Sequence, residues 1–71
     1  MEITLNNNKE TFSEESLTVN DIIRIKNFTF KFLVTKVNNK LVKKEDREST
    51  VVNDKDNVVI LHLISGGWYE K

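Results

Sequence analysis

Seven consecutive residues late in the chain, Val58-Val59-Ile60-Leu61-His62-Leu63-Ile64, are apolar except for one histidine. The run is too short to span a bilayer, which takes roughly 20 apolar residues. It has the length of a strand, and apolar side chains fall on both of its faces. That pattern predicts a central strand with cover on either side. Only 71 residues are present to supply that cover. A chain of this length forms one domain with a small core, and has no room for both a scaffold and a deep catalytic cleft.

The preceding segments supply the neighbours. Glu2-Ile3-Thr4-Leu5 alternates polar and apolar, Lys9-Glu10-Thr11-Phe12 does so more weakly, and Asn6-Asn7-Asn8 lies between them. Asparagine tolerates positive φ, so the three segments read as a β-hairpin. Thr18 followed by Asp21 has the spacing of a helix N-cap with a capping box, and Leu17 and Ile22 fall at the staple positions around it. Val19, Ile22, Ile23 and Lys26 recur at helical spacing, and Asn27 suits a left-handed helix end. Residues 30–37 read as a strand, Asn38-Asn39 as a turn, and Leu41-Val42 as a short returning strand. Residues 43–49 are polar, with room for one helical turn. Thr50-Val51-Val52 is a brief edge strand, and residues 53–57 are a turn cluster. The order is hairpin, helix, strand, short strand, strand. This is an α+β arrangement in the ubiquitin-like β-grasp order: a mixed four- to five-stranded sheet with one helix packed on one face. Residues 1–64 are expected to form this domain, and residues 65–71 a flexible tail.

Composition excludes several functions. The 11 basic and 11 acidic residues are interspersed and cancel, whereas a nucleic-acid binder concentrates positive charge. The alternating run Lys43-Lys44-Glu45-Asp46-Arg47-Glu48 reads as a solvated loop. Lys43, Lys44 and Arg47 are also placed to steer the chain toward an acidic partner surface. No cysteine is present, which removes disulfides, thiol catalysis and thiolate metal sites. The single histidine, His62, builds no metal site on its own. Lying within the apolar run, it reads as a half-buried structural or interface residue. With one His, no Cys and no Gly-rich loop, neither a catalytic constellation nor a phosphate-binding loop can be assembled. A non-enzymatic carrier or binding module is expected, with no bound cofactor or metal. Met1-Glu2-Ile3-Thr4-Leu5 lacks the basic-then-apolar order of a secretory leader. A soluble cytoplasmic monomer is therefore expected, with neither nucleic acid nor membrane as partner.

The sequence holds two glycines, and they are adjacent: Gly66-Gly67, just after the last core strand. A Gly-Gly segment is narrow, lacks Cβ atoms and extends freely. It can thread into a partner's active site where side chains clash. A terminal glycine carboxylate is also a chemical handle. Adenylation by ATP makes it a mixed anhydride, and a sulfur nucleophile then displaces AMP to leave a thiocarboxylate. The bland alternative is a Gly-Gly turn leading into a loose tail.

From Asn38 to Gly67 the sequence resembles ThiS, the sulfur carrier family of thiamine biosynthesis, without a gap. The matching positions are Asn38, Val42, Glu45, Asp54, Asp56, the strand over residues 58–64, and Gly66-Gly67. The opening hairpin and the Thr18-Val19 helix start also fit. Asn39, Lys43, Lys44, Arg47 and Lys55 stand where the family commonly has Gly, Pro, Arg, Trp and Gly. The resemblance implies that the Gly67 carboxylate is adenylated and converted to a thiocarboxylate that donates sulfur for thiazole formation. It implies as partners an E1-like adenylating enzyme that binds the ATP, a thiazole synthase or other sulfur acceptor, and a sulfur donor such as a cysteine desulfurase. The sheet face near the tail is expected to dock the partner, through Ile60, His62, Ile64 and Ser65 or through the opposite parity of the same strand.

The family tail usually stops at the second glycine, but here Trp68-Tyr69-Glu70-Lys71 follows. While Trp68 is joined to it, Gly67 has no free carboxylate. Sulfur carriers of cysteine and homocysteine synthesis are made with a short extension that a zinc peptidase trims. The molybdopterin carrier shares the fold and the Gly-Gly end. Three readings stay open: a thiazole-forming sulfur carrier, a related carrier activated by a C-terminal peptidase, and a β-grasp interaction module without carboxylate chemistry. Trp68 itself is either an anchor for a partner or protease, or disordered.

Overall fold

The computed structural model describes residues 1–29, 32–64 and 67–70, and side chains as far as His62. The described elements run in the order β1 (Glu2–Leu5), β2 (Asn8–Thr11), β3 (Ser16–Thr18), α1 (Val19–Ile25), β4 (Leu33–Val37), β5 (Lys40–Val42), β6 (Val51–Asn53), β7 (Asn57–Ile64) and β8 (Gly67–Glu70). One 3-10 turn at Lys44–Asp46 precedes β6. The main sheet is ordered β2-β1-β7-β4-β5, and β8 is added beside β7. β1 runs parallel to β7, while the other pairs are antiparallel. This is the β-grasp arrangement, with the apolar run at the centre of the sheet. β3 and β6 form a separate two-stranded ribbon, with Leu17 opposite Val52. β3 has no sequence signature, since three residues are too few to show alternation. Residues 30 and 31, the start of the expected third strand, lie outside the described residues.

Asparagine makes the chain reversals. Asn6 and Asn7 alone connect β1 to β2, at φ of 49° and 68°. Asn38 and Asn39 connect β4 to β5 in the same way, at 51° and 68°. Two successive residues at positive φ give the turn whose twist suits a two-residue hairpin. Asparagine enters this region at a modest cost. Asn27, at 58°, ends α1. There the Asn27 N–H donates to the Arg24 carbonyl and the Phe28 N–H to the Ile23 carbonyl, both at 3.0 Å. This is a Schellman closure, with Phe28 buried beneath it.

Seven residues are too few for a helix to persist alone. Caps at both ends and a buried face hold α1. At its start, the Asp21 N–H donates to the Thr18 hydroxyl at 3.1 Å, and the Thr18 N–H donates to the Asp21 carboxylate at 3.0 Å. Val19 and Ile22 are fully buried against Ile3 and Leu5 of β1, Val58 and Ile60 of β7, Val42 and Val52. Burying each such side chain contributes roughly 1.5–3 kcal/mol. On β7 the cover is one-sided. Val58, Ile60 and His62 are buried on the core face, whereas Val59 and Leu61 are half-buried on the other. The expectation of cover on both faces therefore holds only for the face beneath α1.

The β1–β7 pairing is stitched by one side chain. The ladder pairs Thr4 with Asn57 and Leu5 with Val58, and then β1 turns away into its hairpin. Asn6 continues it. Its N–H donates to the Val58 carbonyl at 2.9 Å, its carboxamide NH2 to the Ile60 carbonyl at 3.0 Å, and its carboxamide oxygen accepts from the Ile60 N–H at 2.8 Å. Asn6 is buried, so water is a poor replacement.

Asn6→Ala should cost at least about 2 kcal/mol in urea unfolding, because two buried peptide groups lose their partners. A loss below about 0.5 kcal/mol shows that the amide is dispensable. Hydrogen bonds from the Thr18 backbone, and then its hydroxyl, hold the Asp21 carboxyl below its ordinary value. Folding thus favours ionised Asp21. Its contribution is full above the unfolded-state pKa and is lost as pH falls through the lower folded-state value. Asp21→Asn should flatten the stability profile between about pH 5 and pH 2, as followed by circular dichroism. An unchanged slope assigns acid sensitivity elsewhere.

Candidate functional site

Gly67 is positioned by the end of β7. One edge of β7 bonds to β4, from Val58 opposite Val37 to His62 opposite Leu33. The other edge is shared. β1 takes Asn57 and Val58, the Asn6 side chain takes Ile60, and β8 takes the rest. In that last part Leu61 lies opposite Glu70, His62 opposite Tyr69, Leu63 opposite Trp68, and Ile64 opposite Gly67. Leu61 and His62 pair with β4 and β8 at once, so β8 occupies the β1 side. Gly67 therefore sits in the sheet beside the last residue of β7. Of the expected tail over residues 65–71, the structure describes 67–70, and they form this strand. Trp68 and Tyr69 are strand-forming residue types, which is the local reason a strand follows Gly67. Ser65, Gly66 and Lys71 lie outside the described residues, as does the side chain of Ile64.

The docking residues named on β7 divide by parity. Ile60 is fully buried and His62 is 8% exposed, both facing the core. The same parity carries Val58 beneath the helix. The outward parity is Val59 and Leu61. Cross-strand neighbours extend it: Lys36 lies opposite Val59 and Leu41, and Val34 lies opposite Leu61. Leu41 is 63% exposed. This open face is apolar at Val34, Leu41, Val59 and Leu61 and positive at Lys36, with Thr4 and Lys9 paired further along the sheet. Leu41 was legible as an outward residue only from its alternation with buried Val42, and two residues are weak evidence of alternation.

The charged loop is less solvated than its pattern suggests. Lys43 and Lys44 are exposed, but Arg47 is half-buried. Its guanidinium donates to the Thr35 hydroxyl at 3.1 Å and to the Leu33 carbonyl at 2.6 Å. The buried Thr35 hydroxyl in turn donates to the Val42 carbonyl at 2.7 Å. Arg47 thus ties the loop to β4 and is not free to steer a partner. Burial lowers its pKa from the ordinary value.

Among the described residues no group of His, Asp and Glu side chains is placed to hold a metal. A shallow depression of about 240 Å³ is lined by Glu2, Ile3, Thr4, Lys9 and Lys55. It lies near the start of β7, whereas Gly67 lies at the far end of that eight-residue strand. No helix among the described residues is long and apolar enough to cross a membrane.

The fold is that of a β-grasp domain, and its sequence places paired glycines just past the central strand. The family matching the chain is the ThiS family, over residues 1–67. The chain belongs to this family, whose members are non-catalytic sulfur carriers. The fold agrees with the crystal structure of the thiamine biosynthesis protein ThiS from Geobacter metallireducens, at a TM-score of 0.84 and 26% identity. The alignment covers 94% of this chain and 100% of that one. No curated protein matches the chain.

The two faces of the sheet should respond differently to charge. Leu41→Asp, on the open face, should change unfolding free energy by no more than about 0.5 kcal/mol. Ile60→Asp places a carboxylate in the core and should abolish the cooperative transition. Comparable effects would assign both residues to one environment.

Proposed function

We propose that the chain carries sulfur for thiazole formation in thiamine biosynthesis, and that its active form ends at Gly67. The observation that carries this reading is a coincidence of boundaries. The family match closes at residue 67, on the second of the only two glycines in the sequence. The likeness to a thiamine biosynthesis protein supports the same pathway.

The chemistry needs little from the chain itself. A Gly67 carboxylate oxygen attacks the α-phosphorus of ATP, and pyrophosphate leaves. Sulfide then attacks the acyl carbon of the adenylate, and AMP leaves, so that a thiocarboxylate remains. The adenylating partner binds the nucleotide and the chain holds no cofactor. Gly66 and Gly67 present no Cβ to obstruct that site. The open face around Leu41, Val59 and Leu61 docks the partner, with Lys36 suited to an acidic residue opposite. A cysteine desulfurase is a suitable sulfur source, a thiazole synthase is the acceptor, and the cytoplasm is the setting.

Residues 68–71 favour one addition to this reading. Gly67 is joined to Trp68 by an amide, which cannot attack ATP. A C-terminal peptidase therefore precedes the carrier cycle, as in related carriers of cysteine or homocysteine synthesis. The full chain and a chain truncated after Gly67 should be incubated with an adenylating partner, ATP and sulfide, then weighed intact. Only the truncated chain should gain the mass difference between sulfur and oxygen, and Leu41→Asp should reduce that gain. No gain with several such partners favours a plain interaction module. A gain on the full chain overturns the requirement for trimming.

A further inference from the structure

We propose that Gly67–Glu70 is a latch: its pairing with β7 withdraws the Gly67–Trp68 bond from a peptidase until the strand opens. The proposal rests on the reading of Gly67 as the working terminus and concerns how that terminus is released.

A peptidase takes its substrate as an extended strand whose backbone groups bond to the enzyme. In β8 those groups are already engaged, and the parity of β7 shows which ones. The Val58 carbonyl and both backbone groups of Ile60 point toward β1, since they bond to Asn6. Backbone direction alternates along a strand, so the groups of His62 and Ile64 point the same way. Their partners in register are Tyr69 and Gly67. Residues opposite each other in this orientation exchange both hydrogen bonds. The Gly67–Trp68 peptide bond thus lies between two bonded pairs, Ile64–Gly67 and His62–Tyr69.

Opening the latch does not require unfolding the domain. β8 is four residues long and pairs with β7 alone. Short elements held along one edge open well below the free energy of global unfolding. When opening and closing are fast relative to cleavage, the cleavage rate follows the open population. Hydrolysis adds water across the Gly67–Trp68 amide, leaving a carboxylate on Gly67 and an amine on Trp68. Three of the four residues of β8 then depart, and Gly67 alone cannot reform the strand. Processing therefore both frees the carboxylate and releases it from the sheet in one irreversible step.

Two measurements test the latch without any partner. In amide hydrogen exchange, truncation after Gly67 should speed exchange at His62 and Ile64 by at least about tenfold, while Val59 and Leu61, whose amides face β4, stay unchanged. The second uses Leu61→Cys with Glu70→Cys. These positions are opposed in a non-hydrogen-bonded pair, a separation that a disulfide spans, and the natural chain has no cysteine to compete. Chymotrypsin, which cuts after aromatic residues, should hydrolyse the bonds after Trp68 and Tyr69 at least about tenfold more slowly in the oxidised variant than in the same variant reduced. Intact mass counts the cuts. Equal exchange in the full and truncated chains, or equal cleavage in the two redox forms, overturns the latch. If both results hold but the truncated chain is never adenylated, the carrier reading fails and the latch stands. If the truncated chain is adenylated but the latch results fail, the latch alone is lost.

Discussion

The structure depends on a bond between the two ends of the chain, made by the Asn6 carboxamide to the Ile60 peptide. β1 has to leave β7 early, because its own hairpin turns at Asn6 and Asn7. A parallel pair of two residues is a weak attachment for a central strand. The Asn6 side chain extends it by reproducing both hydrogen bonds that a further strand residue supplies. Its backbone is left-handed, so the turn and the stitch come from one residue. Alanine fits neither role, and aspartate lacks the donor. Everything on the core face, from Ile3 to Ile22 and Val42, packs on a strand held in place this way.

The same residue type explains how the chain reserves its glycines. Five of the six non-glycine residues at positive φ among the described residues are asparagine, and the sixth is Lys55 at 74°. Lys55 stands where the family commonly has glycine. Its N–H donates to the Glu2 carbonyl at 2.7 Å, and the neighbouring Asp54 carboxylate accepts from the Glu2 N–H at 2.6 Å. The tight 54–56 turn thus extends the β1–β7 contact and offsets the strain of a lysine in that region. With turns built from side chains that can bond locally, glycine is left only at positions 66 and 67.

Much of this architecture was legible from local signals. The Thr18–Asp21 capping box, the asparagine turns and the apolar run each specify geometry within a few residues, and each is found where it was expected. The central position of β7 followed from its length and continuity. What escaped reading depended on long-range pairing. β3 is visible only through its partner β6. Arg47 looks like one charge in an alternating run, and its docking onto Leu33 and Thr35 comes from the path of β4. The face presented by β7 could not be fixed from a strand that is apolar at both parities, so both parities stayed open, and the structure turns Ile60 and His62 inward and Val59 and Leu61 outward. The strand after Gly67 was hidden for a related reason. A Gly-Gly pair reads as freedom, and only the unfilled edge of β7 supplies a place for the next residues to lie.

The placement of β7 also sets the order of events at birth. It is the strand to which β1, β4 and β8 all pair, yet it is synthesised after every other strand except β8. The first hairpin and α1 can form as fleeting local structures, but the contact that unites the domain, between Asn6 and Ile60, spans 54 positions. Closures of this separation are slow compared with local pairing. At roughly 5–20 residues per second the ribosome takes seconds to deliver β7. Throughout that interval the nascent chain has strand edges and apolar side chains without a partner. A message cut short before β7 therefore yields no folded fragment, only a segment for chaperones and proteases to deal with.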